Sequence, residues 1–422
     1  MATTTSNDDV VIHLILTGAS GYLGQHLLSN WIKEGLPSSI SDNNNDTSCT
    51  VKYKITALYN RLEGFPDAVE EFRQCQVAEK NMNGILDVTV LSIDLTDSNH
   101  SIESLITRTT SNENSTTTTT GQGTTTKSII IVVHTAALSS PKLCEENPEH
   151  AKAINVPVIF FDNVLGINKK TMNNNYSSSI IALSTDQVYD GIQSNDKNNV
   201  NLYKENEKEG LNPVNVYGRT KLEMEAYLVQ KQKQHKQQQQ QKSSSMLFAL
   251  RSSIILGPKA PIQPNGVHGT FLDFVKSRGE NNQETTFFIN EFRNVVRVDF
   301  VLQTINDIIT KRIVMNNDNT CNATADPMPV VFNMGGPERV NRMDMAKAVF
   351  TKFGYDHKLL LPTKQTSPLS PLDISMDSSF LQKYRLGIGK EERGEEVDDD
   401  DFKNRQPQPE TYLGELVDYV FG

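Results

Sequence analysis

Residues 10–27 read VVIHLILTGASGYLGQHL, an apolar run broken only by His13 and then three glycines at 18, 21 and 24. Such a run is what a parallel strand covered on both faces requires. Past the glycines, Leu23, Leu27, Leu28, Trp31 and Ile32 recur on one face at helical spacing. Strand, glycine-rich turn and amphipathic helix together form the context that makes a glycine pattern specific. Gly18 allows the tight turn, Gly21 lets backbone N–H groups approach a pyrophosphate, and Gly24 lets helix and strand pack closely. Ser20, Tyr22 and Leu23 complete a turn whose N–H groups would face phosphates at the positive helix end. The stretch therefore predicts the first unit of a Rossmann-type, doubly wound parallel α/β sheet that binds a dinucleotide.

The next strand ends bear on the cofactor. Ile55 to Leu58 leads into Tyr59-Asn60-Arg61. A carboxylate here would suit the ribose 2′-hydroxyl of NAD, whereas an arginine suits a 2′-phosphate. No acid stands at the strand end and Arg61 follows directly, which favours NADP over NAD; Glu63 could serve a ribose if the loop is short. A third strand, Val88 to Ile93, ends in Asp94, either an acceptor for an adenine amino group or an N-cap. A fourth, Ser128 to Val133, exits into His134-Thr135-Ala136-Ala137, where the small Ala136 and Ala137 let backbone approach the cofactor.

Two further stretches carry candidate chemistry. Residues 184–191, STDQVYDG, follow the apolar Ile180 to Leu183, so Thr185 and Asp186 emerge at a strand end. Ser, Thr and Asp also favour such exits because they satisfy free backbone groups. Downstream, Tyr217 and Lys221 are four residues apart, on one face of a predicted helix. A free phenol titrates near ~10, and a nearby ammonium favours phenolate, which makes a tyrosine usable as proton donor and acceptor. A surface pair at this spacing is common by chance; its place after a nucleotide-binding half-sheet makes it specific.

Bulk properties bound the rest. The 422 residues include polar tracts at 41–50, 109–127, 168–179, 231–245 and 390–410 with too little apolar surface to order, expected as solvated insertions. Much of the net charge of −10 sits in 391–401, EERGEEVDDDD. No basic cluster suggests nucleic acid. Four scattered cysteines fit a reducing compartment and argue against a disulfide or metal framework. No signal peptide or membrane-length apolar run stands out, so a cytoplasmic location is expected. Expected boundaries are a flexible 1–9, a Rossmann domain over 10–257 and a smaller interleaved substrate lobe over 258–422. Arg293 to Phe300 and Val330 to Met334 are expected to return to the sheet, and Asn341 to cap a helix running through Phe350.

Taken together, LTGASGYLGQHL (16–27), VHTAALSSPKLCEENPEHAKAINV (133–156), STDQVYDG (184–191), NPVNVYGRTKLEMEA (212–226), LRSSIILGP (250–258) and FNMGGPERVNRMDMA (332–346) resemble the extended short-chain dehydrogenase/reductases. More narrowly they resemble the dTDP-4-dehydrorhamnose reductase-like (RmlD-like) family, which also contains the regulatory β subunit of methionine adenosyltransferase. The resemblance spans about residues 10–388. It implies that Thr185 binds the substrate oxygen, Tyr217 donates a proton, and Lys221 binds the nicotinamide ribose and tunes Tyr217. It implies that cofactor lies across the glycine turn, Arg61 and Ala136-Ala137, that Asn155 sits near the site, and that Asp186 and Gln187 face substrate. A 4,6-dehydratase of this superfamily carries Asp-Glu after the threonine, and Gln187 cannot exchange a proton, which argues against elimination. Gln187 replaces an aromatic of the sugar reductases, Ile254 a tryptophan, and Ser370-Pro371 an Arg-Pro. Two functions follow from the resemblance: an NADP-dependent reductase acting on a nucleotide-activated 4-keto-6-deoxy sugar, or an NADP-binding regulatory subunit docking on the methionine adenosyltransferase catalytic subunit. The apolar stripe Leu413, Leu416, Val417, Val420 and Phe421 either inserts into such a partner or packs on its own core. A homodimer and a hetero-complex both stay open.

Overall fold

Apolar β-branched runs make the centre of the molecule and helices cover both of its faces. The computed structural model describes residues 10–36, 39–41, 48–60, 62–77, 85–97, 127–170, 176–192, 201–238, 245–262, 269–314, 330–386 and 409–422. The chain runs β1 (Val10–Thr17), α1 (Tyr22–Glu34), β2 (Ser39–Ser41), β3 (Ser48–Tyr59), α2 (Phe65–Val77), β4 (Ile85–Ser92) and β5 (Lys127–His134). Then come α3 (Pro141–Glu146), α4 (Pro148–Asn155), α5 (Val158–Lys170), β6 (Tyr176–Thr185), α6 (Val216–Gln238), β7 (Leu247–Ser252), β8 (Ile255–Leu256), α7 (Phe271–Glu280) and β9 (Thr285–Phe288). It ends with β10 (Phe292–Arg293), β11 (Val296–Arg297), α8 (Val298–Asp307), β12 (Val331–Met334), β13 (Val340–Asn341), α9 (Arg342–Phe353), β14 (Leu360–Thr363), α10 (Ser379–Leu386) and α11 (Pro409–Phe421).

The main sheet has the order β12-β7-β6-β5-β1-β3-β4, parallel throughout, with β2 antiparallel on the start of β3. Strand order reverses between β1 and β5, which is where open α/β sheets open a ligand crevice. Both faces are buried, and this explains the unbroken apolar strands. Ile12, Leu14 and Leu16 pack with Leu27, Leu28 and Trp31 of α1, while Ile15, Ile130 and Val132 pack with Phe161 of α5 and Met224 of α6.

Several expectations change. Ser48–Thr50 and Ser177–Ser179, within tracts read as insertions, belong to strands, and Ser177, Ser178 and Ser179 are buried. Pairing of Ser48–Thr50 with β2 and of Ser177–Ser179 with β5 overrides their low apolar content. Residues 42–47, 99–126, 171–175, 239–244 and 387–408, which hold most of the polar tracts and the acidic run, lie outside the described residues, as do 1–9. The return of β12 to the sheet, beside β7, is as expected. Val296–Arg297 instead pairs with Ile255–Leu256 in a separate two-stranded ribbon, and Phe292–Arg293 pairs with Val340–Asn341.

In the later chain, α7, α9 and α11 share a second core built on Phe350, Val349 and Leu272. Asn341 opens α9 with a reciprocal capping box to Asp344, as expected. The C-terminal stripe is committed to this core, with Leu413, Leu416 and Val417 buried, so those side chains are not available to a partner. Among the described residues no helix is long and apolar enough to cross a membrane.

A polar knot joins the sheet to the later chain. Arg251 of β7 forms a paired contact with Glu225 of α6 at 3.1 and 2.8 Å, and both side chains are 3% exposed. Arg251 also donates to the Tyr189 hydroxyl at 2.8 Å, which donates to Asn333 of β12 at 2.7 Å. Asn333 in turn donates to the carbonyls of Tyr203 and Asp377. Ser184 closes the knot by donating to Glu225. Removing one member of such a pair strands a buried charge. Arg251→Met alone should cost about 3–5 kcal/mol in urea unfolding. Arg251→Met combined with Glu225→Met should recover most of that loss; a double variant that loses the sum of the two single losses would show that the charges act independently.

Candidate functional site

The cleft is made by strand ends. About 680 Å³ of space opens where β1, β3, β4, β5 and β6 finish, and residues of the β7 exit line its far side. Its first wall is the glycine turn. Gly18 has φ 71°, and a Cβ there would stand 2.6 Å from the Ala136 nitrogen. A Cβ on Gly24 would stand 2.1 Å from the Gly18 carbonyl oxygen. Both are therefore held to glycine by backbone approach, Gly18 with left-handed φ as well. Gly21 is the N-cap of α1, no side chain caps the helix, and its first turn has no acid. The helix thus presents unclaimed N–H groups and a positive end to an anion. That arrangement fits a dinucleotide pyrophosphate.

Ser20 and Leu23 line this wall, and the Ser20 carbonyl accepts from Gln25 at 2.8 Å. Tyr22 lines it too, but its hydroxyl turns away and donates to the Pro258 carbonyl at 3.1 Å. His26 meets the same carbonyl at 3.2 Å, and the Ile262 N–H donates to Gln25. Ala136 and Ala137 face the turn from β5. Asp94 reaches the cleft at the end of β4, where it accepts from the Thr96 N–H at 2.9 Å and the Thr96 hydroxyl at 2.6 Å, a turn rather than a helix cap. Arg61 lies outside the described residues; Tyr59 and Asn60 before it line the cleft.

The opposite wall brings together Thr185, Asp186, Gln187, Tyr217 and Lys221. Thr185 ends β6, and its hydroxyl accepts from the Gln187 N–H at 3.2 Å, so it serves the turn as well as the cleft. Tyr217 lines the cleft with Thr185, and burial pushes its pKa well above the ordinary range. The expected easing of Tyr217 towards phenolate by Lys221 is not met. Lys221 is buried and donates to the Leu183 carbonyl at 2.8 Å, while the nearby Asp186 carboxylate pushes Tyr217 further up. Tyr217 is accordingly a protonated phenol. Burial lowers Lys221 to about 8, against an upward pull from Glu225. His134, hydrogen-bonded to Thr17 at 2.8 Å, is kept neutral by burial and by Lys221. Asp186 is raised by burial, opposed by Arg293 and by hydrogen bonds from Ser253 at 2.8 Å and Thr185 at 3.2 Å.

Residues behind this wall set its geometry. Asn155 accepts from the Leu138 N–H at 2.8 Å and donates to Thr220 at 2.9 Å, tying the β5 exit to α6. Asn215 caps α6 by accepting from the Gly218 N–H at 2.8 Å, and Glu145 accepts from the Val216 N–H at 2.6 Å. Asn215, Glu225, Arg251 and Ser253 were not singled out from sequence. Signals for two of them existed: an Asn directly before a helix is an N-cap signature, and an arginine in an apolar strand needs a buried acid.

Residues 87–238 match the family model described as the RmlD substrate binding domain. No curated protein matches the chain. Among solved structures the chain is similar to a UDP-glucose 4-epimerase with UDP-glucose from Thermotoga maritima, at 17% identity over 96% of this chain and 98% of that one, TM-score 0.57. It is similar to a UDP-glucuronic acid 4-epimerase from Bacillus cereus in complex with UDP-glucuronic acid and NAD, at 14% identity over 97% and 98%, TM-score 0.57. It is also similar to a dTDP-4-dehydrorhamnose reductase from Bacillus anthracis in complex with NADP, at 15% identity over 98% and 99%, TM-score 0.51. At these identities the likeness to solved structures is one of fold. The family match covers Asp94, Ala136, Thr185, Gln187, Tyr217 and Lys221, so over residues 87–238 the chain is similar to the RmlD substrate binding domain.

Proposed function

We propose that the protein is an NADP(H)-dependent reductase that delivers hydride to the carbonyl of a nucleotide-activated 4-keto-6-deoxy sugar or a related hydroxyketone. The observation that carries this reading is that Thr185 and Tyr217 line the same cleft as the uncapped glycine turn. A bound nicotinamide cofactor would supply the hydride. The chain's own task is to hold the carbonyl and provide a proton. Thr185 and Tyr217 present two hydroxyls to a carbonyl oxygen, and the protonated phenol gives its proton as that oxygen gains charge. Lys221 lies one helical turn along α6 and offers its ammonium to a ribose hydroxyl. Gly18, Gly21 and Gly24, with Ser20, Tyr22 and Leu23 through their backbone, would hold the pyrophosphate; Ala136, Ala137 and Asp94 would hold the adenosine side. NADP is preferred to NAD because no acid stands at Tyr59-Asn60. The same chemistry favours a cytoplasmic setting, where reduced nicotinamide is available. The regulatory reading keeps the same pocket but loses Leu413, Leu416 and Val417 as docking groups, since these side chains are buried.

Tyr217→Phe should lower kcat for NADPH-dependent reduction of 4-keto-6-deoxy nucleotide sugars by roughly 10²–10⁴-fold, with NADPH affinity little changed. No turnover by the wild type on any such sugar, together with co-purification with methionine adenosyltransferase, would overturn the reductase reading. NADPH should bind more tightly than NADH by fluorescence titration; equal affinity would remove the role assigned to Arg61. Lys221 gives a separate test. Its proton is held more weakly in the folded than in the unfolded chain, so the stability it contributes is full above pH 10.5 and is lost as pH falls towards about 8. In calorimetry the melting temperature of Lys221→Met should therefore gain on the wild type at pH 7, with the gap narrowing towards pH 10.

A further inference from the structure

Helix α6 meets the end of β6 at three successive turns. Gly218, Lys221 and Glu225 stand at i, i+3 and i+7, so they form one stripe of the helix. At the first turn a Cβ on Gly218 would stand 2.1 Å from the Gln187 carbonyl oxygen, so the helix packs directly on that backbone. At the second, Lys221 donates to the Leu183 carbonyl at 2.8 Å. At the third, Glu225 accepts from the Ser184 hydroxyl. Leu183 and Ser184 precede Thr185 and Gln187 follows it, so the helix grips the strand exit on both sides of Thr185. The residue next to Gly218 on the same helix is Tyr217.

The contact at Ser184 is the stiff one. Ser184 and Arg251 are register partners in β6 and β7, so their side chains leave the sheet on the same face and both reach Glu225. Arg251 holds both carboxylate oxygens, Oε1 at 3.1 Å and Oε2 at 2.8 Å, so Ser184 donates to an acceptor fixed in place. Ser184 and Glu225 are both buried. The carboxylate keeps its guanidinium whether or not residue 184 carries a hydroxyl. An alanine there removes the link between strand and helix without stranding a charge.

We propose that Ser184 is a positioning residue for the reduction, its hydroxyl on Glu225 setting the place of Thr185 relative to Tyr217. The inference rests on the reductase reading for the chemistry and adds to it the contact that spaces the two hydroxyls. Thr185 stands on the strand and Tyr217 on the helix, and one carbonyl oxygen must meet both at once. An error in the spacing of strand and helix therefore falls on the reacting step before it falls on ligand binding.

With NADPH and dTDP-4-dehydrorhamnose as the probe, Ser184→Ala should lower kcat about tenfold while the sugar KM and the NADPH Kd stay within about twofold. Ser184→Thr, which keeps a hydroxyl, should hold kcat within about threefold of the wild type. A Ser184→Ala kcat within about twofold of the wild type, or an equal loss in Ser184→Thr, would overturn the proposal and leave the reductase reading standing. Should the wild type reduce no sugar, that reading falls and the link is decided by ¹⁹F NMR of protein carrying fluorinated tyrosine. The Tyr217 signal is the one missing in Tyr217→Phe. A Tyr217 signal displaced or broadened in Ser184→Ala supports the positioning role; one left unmoved overturns it.

Discussion

A guanidinium and a carboxylate, Arg251 and Glu225, meet where the main sheet, helix α6 and the later chain converge. Neither could be buried alone at acceptable cost, and each is hydrogen-bonded beyond its partner, so the pair exists as a unit. Its consequence is positional. Glu225 lies one turn past Lys221 on α6 and takes the Ser184 hydroxyl, which directly precedes Thr185. The strand end that presents Thr185 and the helix that presents Tyr217 and Lys221 are therefore pinned to one fixed point. Tyr189 and Asn333 extend that point into β12 and the segments around Tyr203 and Asp377.

Much of this was legible from residues at short, fixed separations. The glycine turn, the Thr185 strand exit and the four-residue spacing of Tyr217 and Lys221 are local patterns, and the structure brings them into one cleft. What sequence could not supply are partners far apart along the chain. Asn215 reaches Gln187 across 28 residues and Leu369 across 154. Arg251 was visible as a charge in an apolar strand, but only the fold identifies Glu225 as its partner. The serines opening β6 misled for a related reason. Their composition is that of a solvated tract, yet pairing with Ile129–Ile131 of β5 commits the backbone whatever the side chains prefer.

The titration states of the cleft also came out differently from the simplest chemical expectation. Proximity to a lysine predicts a phenol eased towards its anion, but proximity in sequence is not contact. With Lys221 bound to the Leu183 carbonyl and Tyr217 deep beside Asp186, burial dominates both groups and drives them in opposite senses. Desolvation favours the neutral form of each, which leaves a protonated phenol beside a weakened ammonium. Such a pair is disposed to give a proton to an oxygen that becomes charged, more than to take one from a hydroxyl.

The contacts of Tyr22, Gln25 and His26 with Pro258 and Ile262 have a mechanical consequence. These three side chains stand on the first turn of α1, immediately behind the backbone that would face phosphate. The chain that leaves the sheet for the later lobe is thus fastened to the nucleotide turn as well as, through Ile255–Leu256, to Val296–Arg297. Force applied at either place is felt at the other, much as a hinge pin bolted to one leaf sets the swing of the second. Whatever stiffens the turn therefore also restrains Pro258–Ile262, which lie outside the cleft.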